Sequence, residues 1–405
     1  MARAVEACVH CGFCLPTCPT YLTMGQEMDS PRGRIILMKE VLEGNLPLDR
    51  AGTYIDHCLG CMACVTACPS GVPYGDLISP FRAFTERKRK RGFMRRLFRR
   101  VLMESIPHPG RFRLLLRLGV LSKGMAWLTP KVFRPAFNLL PRRIPRAETL
   151  PEVFPAEGAR RARVALLAGC AQQVLAPEIN LATLRVLSRN GVETVIPRDQ
   201  ACCGALAMHV GESAEARSTA RKNIAAFSGE FDAIITNAAG CGSGMKEYPL
   251  LFEGQADDKE ARRLSERVVD VSVFLDRLGF KPPPALGKPV RLAYHDACHL
   301  AHAQGVRSEP RRLLASVEGL SLVEPAEWEV CCGSAGTYNL EEPETADQLG
   351  KRKASNILAT GAQAIATGNI GCLMQIRAHI TADGRSVPVY HTMEVLDAAY
   401  GSKTL

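Results

Sequence analysis

Sixteen cysteines in 405 residues fall into four sets of four. The first set is Cys8, Cys11, Cys14 and Cys18, closed by Pro19. The second is Cys58, Cys61, Cys64 and Cys68, closed by Pro69. Thiolates are soft ligands that suit iron–sulfur clusters. Two-residue gaps let three sulfurs of one tight loop cap one face of a cube, and in two-cluster ferredoxins the cysteine before proline ligates the other cluster. The spacing therefore predicts two [4Fe–4S] clusters, one on Cys8, Cys11, Cys14 and Cys68, the other on Cys18, Cys58, Cys61 and Cys64. Gly12 and Gly60 ease the backbone around the sulfurs, where amide hydrogen bonds tune potential. Paired zinc sites would instead show two C-x2-C halves with a longer spacer.

The other eight cysteines form a duplication. Cys170 is followed 32 residues on by Cys202–Cys203–Gly204 and then by Cys241; Cys298 is followed 33 residues on by Cys331–Cys332–Gly333 and then by Cys372. Three readings stay open for these residues: a further iron–sulfur cluster on four thiolates, a redox-active thiol pair or another metal, or a packing role. That no cysteine is left over from the sets of four speaks against the last. Around Cys298, His295, His299 and His302 are expected to share a helix face at i, i+4 and i+7. They read as polar capping at a strand-to-helix turn, or as proton-coupling groups hydrogen-bonded to a cluster. Gly240, Gly242 and Gly244 lack the spacing and the acidic partner of a dinucleotide fingerprint. No P-loop or nucleophile elbow is present, so neither flavin nor NAD is expected on this chain, and no catalytic residue.

These sites need elements to hold them. Residues 1–80 read as a helical domain of two cluster loops separated by a helix at 32–46, with Gly44-Asn45 as its stop. Residues 81–160 contain no cysteine and read as a basic helical connector. Residues 161–284 and 285–405 read as two α/β lobes with mainly parallel sheets, because each copy alternates strand-like runs with helical stretches. KPPPALGKP at 281–289 is the expected hinge. The fold class is thus an α+β arrangement: a helical two-cluster domain followed by two duplicated α/β lobes.

The net charge is +10, yet the stretch from Arg82 to Arg117 alone carries thirteen basic and two acidic side chains, a balance of +11. The basicity is local. Phe93, Met94, Leu97, Phe98, Val101 and Leu102 form an apolar stripe opposite the arginines, and a second apolar stretch spans 112–128. This reads as a helix on an anionic membrane surface or docked on a partner, with nucleic acid a distant third. With 6% aromatic residues there is little to build base-stacking platforms. No run of 18 apolar residues occurs, and cysteine clusters fit a reducing compartment. The expected location is the cytoplasm, peripheral on the inner membrane.

The two CCG halves resemble the cysteine-rich domain of heterodisulfide reductases and of many flavin-linked dehydrogenase subunits. They depart from its C-x2-C ending, since Gly244 and Gln375 stand where a fifth cysteine would be. With CVHCGFCLPTCPTY, DSPRGRIILMKEVLEGNL and HCLGCMACVTACPSGVPYG preceding them, the whole chain resembles the iron–sulfur subunits of glycolate oxidases (glycolate dehydrogenases). The alternatives are anaerobic glycerol-3-phosphate dehydrogenase subunits and a catalytic heterodisulfide-type reductase. The resemblance implies partner flavin subunits that oxidise glycolate or D-lactate, with this chain passing electrons towards a membrane quinone.

Overall fold

The computed structural model describes residues 1–122, 136–137, 140–141, 143–384 and 386–401. Six helices build the N-terminal unit around its loops. Helix α1 (Ala2–Glu6) precedes the first cysteine loop and α2 (Pro19–Met24) follows it. Helices α3 (Pro31–Leu42) and α4 (Leu48–Asp56) lead to the second loop, α5 (Ala63–Thr66) lies within it, and α6 (Gly75–Lys88) closes the unit. Helix α3 starts because Ser30 accepts the Gly33 N–H at 3.0 Å and Pro31 takes the first helical position. Gly44 just beyond it has φ +83°, a conformation that suits glycine. Ile35 and Met38 pack with Ile55, Leu77, Ile78 and Phe81, whereas Ile36 and Leu42 of the same helix face solvent.

Two parallel sheets of matching strand order follow. In the first, β1 (Val153–Phe154) pairs antiparallel with β3 (Val192–Val195), and β3 continues in parallel to β2 (Ala162–Leu166), β4 (Ala233–Thr236) and β5 (Val268–Asp270). The second runs β7 (Leu320–Val323), β6 (Val290–His295), β8 (Ala364–Thr367), β9 (Val389–His391), all parallel. The orders β3-β2-β4-β5 and β7-β6-β8-β9 coincide strand for strand, which is the duplication in three dimensions. AIIT of β4 and AIAT of β8 are buried throughout, as in strands covered on both faces.

The two lobes share one core, with Leu166, Leu184 and Val186 of the first packed in the same cluster as Leu292, Tyr294 and Leu396 of the second. Arg185 grips the Asp397 carboxylate across the junction, with contacts of 2.6 to 3.0 Å. The hinge expected at 281–289 is accordingly pinned at its start. The Lys281 N–H donates to Asn190 Oδ1 at 2.8 Å, and the Tyr400 hydroxyl donates to the Lys281 carbonyl.

The basic connector is more tightly integrated than its sequence suggests. It contains α7 (Phe93–Ser105) and α8 (Pro109–Leu121); positions 123–128 of the second apolar stretch lie outside the described residues. Phe98 and Leu102 are buried, while Phe93, Met94 and Leu97 point outward, so the stripe is divided between core and surface. Several of its arginines meet carboxylates of this chain. Arg89 and Arg91 pair with Asp56 at 2.6 and 2.8 Å, Arg99 with Glu86 at 3.0 Å and Glu341 at 2.6 Å, and Arg95 with Glu342 at 2.6 Å. Burial opposes ionisation of Asp56, yet Arg91, Arg99 and Arg89 hold its carboxyl down at about 2. The partners are far apart in sequence, which is why the run reads as a free basic face until it is folded. Among the described residues, no helix is long and apolar enough to cross a membrane.

Candidate metal centres

Both N-terminal loops take the same unusual path. His10 and Gly12 have φ of +54° and +91°, and Gly60 and Met62, at the same offsets from the first cysteine, have +64° and +61°. Each loop thus visits the left-handed region twice, once with glycine and once with a bulkier residue. Such turns aim successive N–H groups inward, making a concavity for anions; the Gly60 N–H lies 3.4 Å from Cys58 Sγ. Pro19 then launches α2 directly after Cys18.

The sulfurs differ in their surroundings. Burial pushes the Cys64 thiol up, with Cys61, Cys58, Cys18 and Cys14 adding repulsion. Burial and the nearby Cys298 push Cys61 up. Burial likewise resists ionisation of Cys58, but the guanidinium groups of Arg34 and Arg82 outweigh it and draw this thiol down. Burial raises the Cys14 thiol, and Cys18 and Cys8 are among its neighbours. Cys11 lies exposed, flanked by Val9 at 67% and Phe13 at 65% exposure. Cys61 is buried in one cluster with Leu59, Ala63, Cys298, Val330 and Cys331. One loop therefore opens to solvent through an apolar rim, and the other is sealed against the second lobe. This donor set, on two loops bent alike, fits a pair of four-thiolate clusters.

Each lobe presents its cysteines at the carboxyl ends of its strands, the place where open α/β sheets bind ligands. Cys170 follows β2, Cys202 and Cys203 follow β3, and Cys241 follows β4; Cys298, Cys331, Cys332 and Cys372 follow β6, β7 and β8 in the same way. Sγ of Cys170 and Cys202 lie 3.3 Å apart, and those of Cys298 and Cys331 3.8 Å. Hydrogen bonds from Cys170 and Cys203 draw the Cys202 thiol well down, and hydrogen bonds from Cys331 and Cys372 do the same for Cys332.

The missing fifth cysteine of the first lobe has a steric account. A Cβ on Gly244 would stand 2.6 Å from Ala205 Cβ, so helix Ala239–Lys246 is packed too closely for any side chain there. Gln375 is buried and donates to the Ala346 carbonyl at 3.1 Å. Gly244→Cys is expected to destabilise the chain by about 1–3 kcal/mol through overpacking and to leave its iron content unchanged. Denaturant titration and iron counts check this; a stable variant with more iron would refute it.

The three histidines do not share a helix face. His295 is the last residue of β6, His299 lies in the four-residue helix Cys298–Ala301, and His302 caps that helix. A strand precedes the helix, so the 3.6-residue period does not extend back to His295. Two of them dock the N-terminal unit: His299 Nε2 donates to the Gly60 carbonyl at 3.1 Å, and His302 Nδ1 is 2.8 Å from Thr66 Oγ1. His209 of the first lobe stacks on His299 with ring centroids 5.0 Å apart. Burial lowers both their pKa values, which favours the neutral imidazoles. Sequence reasoning passed over His209, which no motif marks.

Between α7, α8 and the two lobes lies a largely apolar chamber of about 970 Å³, lined by Phe98, Leu102, Phe112, Leu116, Leu340 and Met374 among others. Cys170, Cys202, Cys203, Cys241, Cys298 and His299 reach its wall.

Paired ferredoxin-type loops joined to two cysteine-lined parallel sheets define a class, iron–sulfur proteins with a duplicated cysteine-rich module. The 4Fe-4S dicluster domain family matches residues 4–72, and the cysteine-rich CCG domain family matches residues 164–246 and 292–377. The chain is 38% identical to the probable glycolate oxidase iron-sulfur subunit of Bacillus subtilis (strain 168), over 98% of this chain and 94% of that one. It is 37% identical to the glycolate oxidase iron-sulfur subunit of Escherichia coli (strain K12), over 98% and 96%. Lactate utilization protein A of Oceanobacillus iheyensis is 32% identical over 58% of this chain and 96% of its own length. The chain belongs to the family of glycolate oxidase iron–sulfur subunits.

Proposed function

We propose that this chain is the electron-transfer subunit of a flavin-dependent glycolate dehydrogenase, taking electrons from a partner flavin subunit that oxidises glycolate or D-lactate and passing them towards membrane quinone. One observation carries the reading: the first cysteine loop is open to solvent at Cys11 while the second is sealed against the lobes at Cys61. That asymmetry gives the chain an entry and an interior. Cys8, Cys11, Cys14 and Cys68 would hold one [4Fe–4S] cluster and Cys18, Cys58, Cys61 and Cys64 the other; when bound, these supply one-electron steps. The chain's own residues do the rest. Val9 and Phe13 offer an apolar rim to a partner, and Arg34 and Arg82 offset thiolate charge at the second site. His209, His299 and Gly60 join that site to the chamber wall.

The chamber supports an apolar acceptor. Its volume is at the upper end of cofactor and drug-sized sites, and thiols of the first lobe reach its wall. The exposed Leu114, Leu118 and Leu121 of α8 give it an apolar flank, which fits a helix resting on a membrane. In the assembled complex, glycolate should bleach the iron–sulfur absorbance and reduce a short-chain ubiquinone. Leu340→Trp, which narrows the chamber, should keep the bleaching and lower the quinone rate at least tenfold, a loss of about 1.4 kcal/mol or more in transition-state stabilisation. No bleaching by glycolate would refute the subunit role, and an undiminished quinone rate would refute the chamber as the exit.

A further inference from the structure

The two cysteine-rich lobes are not chemically equal. Aligned on their first cysteines, His295 of the second lobe stands where Leu167 stands in the first, three residues ahead of Cys298 and Cys170 respectively. Leu167 is buried in apolar packing. The position therefore accepts an aliphatic side chain in this fold, and an imidazole there needs its own reason.

His295 is 2% exposed, and its Nε2 is buried without a hydrogen-bond partner. An unsatisfied buried polar atom costs about 1–3 kcal/mol. Around it lie two sulfurs: an imidazole nitrogen of His295 and the Sγ atoms of Cys332 and Cys372 all fall within 4.8 Å of one another, and all three residues are buried. Cys331 and Cys298 flank them, the Cys331 thiol hydrogen-bonded to that of Cys332 and 3.8 Å from Cys298 Sγ.

We propose that His295, Cys332 and Cys372 bind a single divalent ion of the zinc class, with Cys298 or Cys331 as the fourth ligand. The donor chemistry is that of a closed tetrahedral site built from thiolates and one imidazole. Bond lengths of about 2.3 Å to sulfur and 2.0–2.1 Å to nitrogen set donors less than 4 Å apart, within the spacing found. A four-iron cube binds each thiolate to a different iron and spreads its ligands more widely. Gln375, tied to Ala346, adds no fifth thiolate. The ion would take one ring nitrogen of His295 as a ligand and brace β6 against the loops after β7 and β8. The first lobe, with leucine at this place, keeps a thiol-only set facing the chamber.

The test is metal stoichiometry of the full chain, purified anaerobically and loaded with iron and zinc, with zinc-edge X-ray absorption. About one zinc per chain with one nitrogen and the rest sulfur is expected. His295→Ala should lower zinc at least tenfold while the N-terminal iron stays constant, and His295→Cys should restore it. Zinc content unchanged by His295→Ala overturns the proposal. So does a zinc shell without nitrogen, or iron and sulfide in place of zinc in this lobe. Should His295→Ala not fold, cobalt substitution of the unmodified chain decides: tetrahedral bands with sulfur-to-cobalt charge transfer support the site, and octahedral or absent cobalt overturns it.

Discussion

Arg34→Met is expected to destabilise the N-terminal unit by about 3–5 kcal/mol, because it removes one partner of a buried ion pair and strands the other. Arg34 is 1% exposed, and each nitrogen of its guanidinium finds a partner. Nε donates to the Tyr54 carbonyl at 2.7 Å; Nη2 donates to Thr20 Oγ1 at 2.9 Å and to Asp29 Oδ1 at 3.1 Å; Nη1 reaches Cys18 Sγ at 4.0 Å. Methionine fills much of the same volume, so the loss is electrostatic rather than a cavity. Asp29 would keep His57 Nδ1 at 2.9 Å, and Cys18 and Cys58 would lose the buried charge of Arg34. Arg34→Lys keeps the charge but not the fork that bridges three acceptors, and should recover only part of the loss. Denaturant unfolding of the cluster-loaded chain, followed through its visible absorbance, measures the effect. A change below about 1 kcal/mol would show that the pair contributes little here.

Cys61→Ser is expected to bring glycolate-driven electron flow to quinone or dye down to background while leaving the flavin subunit able to fold and to bind the chain. Serine is close in size, so Leu59, Ala63, Val330 and Tyr338 keep their packing, and binding at the exposed Cys11 loop is untouched. What changes is the soft ligand at the sealed site. Cys11→Ser should also stop electron flow, at the entry rather than the interior. Electron paramagnetic resonance distinguishes the two, since each variant should lose or alter a different signal. Full turnover in either variant would refute the proposed wiring.

Much of this protein is legible in its sequence because the informative distances are short. Three thiols two residues apart must share one loop, whatever surrounds it, and both loops fold alike down to the left-handed residues at matching offsets. The duplication is equally local, for each strand-to-cysteine turn is written within about ten residues, and the sheets repeat one strand order. Periodicity also found α3, though the helix ends at Leu42, earlier than the expected 46. It failed for the histidines near Cys298, since a strand ending at His295 breaks the helical count.

Sequence by itself determined the cysteine spacing, its grouping in fours and the two ferredoxin-type loops. Only the tertiary structure decided which loop is open and which is sealed, because that depends on Cys61 meeting Cys298, which follows it by more than two hundred residues. It also turned a basic run into a strap, by bringing Glu341 and Glu342 to Arg99 and Arg95. It set His295 beside Cys332 and Cys372, a grouping that no spacing encodes. The physical reason is common to all three. Local backbone geometry is fixed by neighbouring residues, whereas buried charges and donors take whichever partners the packing of remote elements delivers.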